Sequence, residues 1–90
     1  MSTPQTDPIR IKVMNGMLEV IDTQMKKLDP PEARSTYERL VAKGYSDEEI
    51  RTLMAKALIS ELFLVTKHGA PFNRKRYAEM LRDLPRMPTE

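Results

Sequence analysis

Apolar residues recur along this chain at three- and four-residue intervals in four blocks, set apart by proline, glycine and helix-capping residues. Met14, Met17, Leu18, Ile21, Met25 and Leu28 mark one face of a first helix, expected over about residues 12–28. Just upstream, Ile9-Arg10-Ile11-Lys12-Val13 alternates as a strand would, while Asp7-Pro8 reads as a helix start. Helix is favoured there, because a lone strand would find no partner in such a chain. Asp29-Pro30-Pro31-Glu32 then opens a second helix, expected over 31–43, with Asp29 as cap and Glu32 at capping-box spacing. Ala33, Tyr37, Leu40 and Val41 line its inner face, and Gly44 supplies the left-handed residue that ends it.

Ser46-Asp47-Glu48-Glu49 repeats the start signal more strongly, and the pattern predicts a third helix over 47–68 with Gly69 as its stop. Ile50, Leu53, Met54, Ala57, Leu58, Leu64 and Val65 share one side of it, and Glu61 falls in their midst. A carboxylate in that position must find a partner or stay protonated. Ile59 and Phe63 point away from the main stripe, so the second half of the helix is apolar nearly all round and suits a partner surface. In the last block Asn73 caps a fourth helix over 74–84, Phe72 is placed to staple against Tyr77, and Pro85 ends it. The fold expected is all-α: a small bundle of four helices packed around a long third one, at residues 8–85, with a disordered leader at 1–7 and a short tail at 86–90.

Composition narrows the function classes more than it selects one. Ninety residues make one domain, and 40% hydrophobic with 31% charged residues is the balance of a folded chain. There is no cysteine, which excludes disulfides and thiolate metal sites. No secretory signal or membrane span is present, so the expected location is cytoplasmic. Net charge is only +2, but residues 1–50 carry seven Lys/Arg against nine Asp/Glu and residues 51–90 carry eight against four. That imbalance falls short of the dense basic stripe of a dedicated nucleic-acid binder.

Three local features could carry chemistry. Glu61 could act as a general acid or base, or pair structurally with Arg34, Arg39, Tyr37 or a polar residue of the first helix; the structural role is favoured. His68 lies two turns beyond it, about 10 Å along a helix, too far to share one ion, so no metal site and no cofactor is expected. Arg74-Lys75-Arg76 sets three cations in a helix first turn, where the dipole prefers acids. A bound anion would relieve that conflict, as would neighbouring acids such as Glu48, Glu49 or Glu79. The Gly44 turn resembles that of a helix-turn-helix, yet the helix after it is too apolar to read base edges.

The order Asp29-Pro30-Pro31-Glu32, Gly44-Tyr45-Ser46-Asp47-Glu48-Glu49, Glu61 within an apolar helix, Pro71-Phe72, Tyr77 and Leu84-Pro85 resembles a family of small bacterial all-helical domains of unknown function. The resemblance implies an all-helical fold in a bacterial, cytoplasmic setting and no particular activity. It also implies relatives with histidines at the positions of Met14 and Leu18, four apart and able to form a metal face with a buried glutamate. Here those positions are a thioether and an aliphatic, so no metal site is carried over.

With no nucleophile, base and orienter in evidence, the expected function is a non-enzymatic interaction module or subunit. Its partner is another protein or a second copy, met through Ile59 and Phe63. The alternative is an anion or nucleic-acid binder using Arg74, Lys75 and Arg76, and an enzyme centred on Glu61 comes third.

Overall fold

The computed structural model describes residues 8–87. The expected leader at 1–7 and the last three residues of the expected tail lie outside them. Four helices follow in order, α1 (Pro8–Lys27), α2 (Pro31–Ala42), α3 (Asp47–His68) and α4 (Arg74–Asp83), and no strand occurs among the described residues. The bundle and its long third helix are as the hydrophobic spacing predicts. Helix α1 begins at Pro8, four residues before its expected start, so the alternating stretch 9–13 is helical. A helix satisfies its own backbone donors and acceptors, whereas a strand there would have no edge to pair with.

The ends of the helices show how local chemistry sets the frame. Ser46 accepts from the Glu49 amide while Glu49 reaches back to the Ser46 amide, closing the capping box, and hydrogen bonds from the Ser46 amide and hydroxyl hold the Glu49 carboxyl below its ordinary range. Asn73 Oδ1 accepts from the Arg76 amide at 2.9 Å, and the Phe72 and Tyr77 rings meet edge to face with centroids 5.6 Å apart, which is the expected staple. Gly44 (φ 96°) and Gly69 (φ 64°) take the left-handed conformation that stops α2 and α3. One start differs from expectation. The residue preceding α2 is Pro30, which offers no side-chain acceptor, and the Asp29 carboxylate is turned instead to the Arg74 guanidinium.

Leu28 is also not where the apolar spacing puts it. It is exposed, with φ 53°, and the Asp29 amide donates back to the Gln24 carbonyl at 3.0 Å, the bond that closes a left-handed helix stop. A β-carbon in that conformation costs about 1 kcal/mol, and here little burial offsets it. Leu28→Gly is therefore expected to raise stability by about 0.5–1 kcal/mol, read as a higher urea midpoint at unchanged slope. A lower midpoint would mean that the leucine side chain contributes packing.

The core is built where α2 and α3 each touch the other three helices, with α1 and α4 to either side. Ile21, Leu40, Ile50, Met54, Leu58, Tyr77, Leu81 and Leu84 are its larger apolar members, and Met14, Met17, Leu18 and Met25 pack against it. Val41 is exposed, contrary to expectation, and Thr36 lies inside in its place, its hydroxyl donating to the Leu81 carbonyl at 3.1 Å. The helix is rotated so that 33, 36, 37 and 40 face inward, because α4 lies along that side. Asp29 meets Arg74, Thr36 meets Leu81 and Arg39 meets Leu84, so α2 and α4 run in the same direction. The Arg39 guanidinium donates to the carbonyls of Leu81, Arg82 and Leu84 at 2.8–3.2 Å, satisfying acceptors that a helix C-terminus leaves open.

Candidate functional site

Two local conflicts in the sequence, a carboxylate inside an apolar helix and three cations at a helix start, meet at one place. Helix α3 turns back through the five residues between His68 and Arg74, which lays the start of α4 against Glu61. The Glu61 side chain is completely buried. Its Oε1 accepts from Arg76 Nε at 2.6 Å, and its Oε2 accepts from Arg76 Nη2 at 2.9 Å and from the Asn73 amide at 2.8 Å. Glu61 thus stands where an external phosphate or carboxylate would sit at a helix N-terminus.

The partner of Glu61 is therefore Arg76, not Arg34, Arg39, Tyr37 or a side chain of α1. Arg34 is engaged by Glu38, Arg39 by the end of α4, and Tyr37 donates to Asp47. Burial pushes the Glu61 carboxyl up, but the Arg76 hydrogen bonds, the Asn73 amide and the Arg76 charge outweigh it and hold the group below its ordinary value. The same contact raises the Arg76 guanidinium. A carboxylate with both oxygens engaged by charge-assisted donors is a poor proton acceptor near neutrality.

Of the basic triplet, Arg76 is spoken for by Glu61 and Arg74 by Asp29, while Lys75 is exposed. The acids that meet the triplet are thus Asp29 and Glu61 in place of Glu48, Glu49 or Glu79. Spacing along one helix could not have indicated either one, since both come from other segments. Among the described residues no group of three or more His, Asp or Glu side chains is placed to hold a metal ion. Met14 and Leu18 pack against the core.

Ile59 and Phe63 lie on the outward side of α3, and the structure adds Leu62 between them. Phe63 is 52% exposed, with the Lys67 ammonium 5.8 Å from its ring centroid. The i, i+3, i+4 spacing of these three was visible in the sequence, although only Ile59 and Phe63 were singled out from it. A separate cleft of about 390 Å³ opens beside the start of α3, lined by Tyr45, Ser46, Glu48, Glu49, Thr52, Leu53 and Pro85. Its Glu49 carboxylate is committed to the capping box.

No helix among the described residues is long and apolar enough to cross a membrane. No protein-family description, curated protein or solved structure matches the chain.

Proposed function

We propose that this chain is a non-enzymatic protein–protein interaction module, acting in the bacterial cytoplasm, that offers the outward face of α3 to a partner protein. The observation that supports it is the group Ile59, Leu62 and Phe63, exposed together on one helix face. Three large apolar side chains at i, i+3 and i+4 are the anchors an interface groove receives, and an aromatic among them concentrates binding energy. The anion-binding alternative through Arg74, Lys75 and Arg76 has less to stand on once Asp29 and Glu61 are counted. Catalysis at Glu61 is disfavoured by the same pairing.

The test is capture of partners from host lysate by the tagged chain, with and without nuclease, alongside the Ile59→Ser/Phe63→Ser variant. Both positions are exposed, so the variant should stay folded, with stability changed by about 0.5 kcal/mol or less per site. A protein kept through nuclease treatment and lost with the double substitution is the expected result. A partner indifferent to the substitutions would move the interface elsewhere, and material lost with nuclease would shift attention to Lys75.

A further inference from the structure

The core-facing side of α1 is not its only apolar side. Ile9, Val13, Gly16, Val20 and Thr23 follow one another at alternating steps of four and three. At 100° per residue this keeps them on one stripe, turned away from the side that buries Ile21. Ile9 is 73% exposed, Val13 51% and Val20 40%. A concave groove of about 460 Å³ opens along the second half of the stripe, with Gly16, Glu19, Val20 and Thr23 among its walls. A β-carbon built at Gly16 meets nothing within 4 Å among the described residues, so the glycine is not making way for another part of its own fold. A second apolar seam with the 3.5-residue repeat is the surface that receives another helix.

Charge selects which helix. Lys12 and Glu19 are exposed and flank the stripe on one side. Laid antiparallel on a second copy, with Val13 against the partner's Gly16 and Ile9 against the partner's Val20, the stripe brings Lys12 beside the partner's Glu19. Twofold symmetry then repeats the pair. Sliding by one heptad sets Lys12 against the partner's Lys26 and Glu19 against the partner's Glu19, two like-charge contacts. A parallel pairing sets Lys12 beside the partner's Met17 and Glu19 beside the partner's Gln24, with no ion pair. Of these three arrangements, the first alone matches opposite charges.

We propose that α1 pairs antiparallel with α1 of a second copy of this chain through Ile9, Val13, Gly16 and Val20, in the register set by reciprocal Lys12–Glu19 contacts. The surface is distinct from the outward face of α3, so this pairing and the partner-protein interface stand or fall separately.

The chain has no cysteine, so introduced thiols report without interference. Val13→Cys and Gly16→Cys proteins, mixed and oxidised, are expected to give the mixed disulfide in several-fold excess over either symmetric one, because each position faces the other across the axis. By sedimentation equilibrium, Lys12→Glu should weaken association about tenfold, and adding Glu19→Lys should restore it. Phe63→Ser should leave it unchanged. A chain that stays monomeric up to its highest soluble concentration overturns the proposal. So does a dimer indifferent to Lys12→Glu, or one abolished by Phe63→Ser.

Discussion

Arg76→Met is expected to cost about 3–5 kcal/mol at neutral pH, because it leaves the buried Glu61 carboxylate with the Asn73 amide and no cation. Glu61→Gln should cost less, about 1–2 kcal/mol, since Arg76 remains 35% exposed and can turn its guanidinium to water. The native and Arg76→Met proteins also differ in the sign of their acid response. In the native protein the Glu61 carboxyl lies below its unfolded value. It therefore contributes stability that is present above the unfolded value and lost as pH falls through the folded one. Without Arg76, burial is opposed only by the Asn73 amide and lifts the group above the unfolded value. The protonated form then favours the fold, so the penalty shrinks on acidification and grows as pH rises through the raised value. Urea midpoints at pH 4 and pH 7 separate these cases: the gap between native and Arg76→Met proteins should narrow at the lower pH. A gap that is the same at both would mean that Glu61 does not depend on Arg76. Replacing both residues by methionine and leucine should recover much of the loss, as buried ion pairs exchanged for apolar groups often do.

Tyr77→Ala should be comparably damaging, at about 3–5 kcal/mol. Its ring is almost wholly enclosed, touches Phe72 edge on, and carries a hydroxyl that donates to Gln24 Oε1 on α1 at 2.8 Å. One side chain of the shortest helix thus ties α4 to both its own entry loop and α1. Tyr77→Phe removes the hydroxyl alone and should cost about 0.5–1.5 kcal/mol, so comparing the two variants divides the ring from the bond. Burial pushes the Tyr77 phenol up to about 12. The neutral form is the one the fold retains, and the stability it supplies is lost as pH rises from about 10 towards 12. That alkaline loss should be missing from Tyr77→Phe. If Tyr77→Ala unfolds no more readily than Tyr77→Phe, the ring is not the wedge its burial suggests.

A domain of this size has about 5–13 kcal/mol of net stability, so either variant removes a large share of it. Both act on the start of α4, a helix of only 10 residues. Alone in water a helix so short is marginal. It is held by Glu61 and the Phe72 staple at its entry, by Tyr77 along its length, and by Arg39 at its exit. The outward faces of α1 and α3 take no part in that work, which leaves Ile59, Phe63 and Val13 open to substitution without loss of the fold.

What could be read without coordinates was local in its physics. Helix periodicity, the Ser46–Glu49 box, the Asn73 cap with its Phe72 staple, and the glycine stops at 44 and 69 all involve groups within about five residues of one another. Propensity and hydrogen bonding over that range are properties of the segment itself. Two helix ends are exceptions: the Asp29 cap of α2 is lost to Arg74, and a leucine in a left-handed stop at 28 carries no compositional signal. The tertiary structure decided how the polar groups were paired. Glu61 waits on Arg76 fifteen residues away, Asp29 on Arg74 and Arg39 on the end of α4, both forty-five away. The sequence showed that a buried carboxylate and a basic helix start each needed a partner, and it listed many candidates of the right charge. Coulombic attraction is indifferent to order along the chain, so only the packing of α4 against α2 and α3 could choose among them.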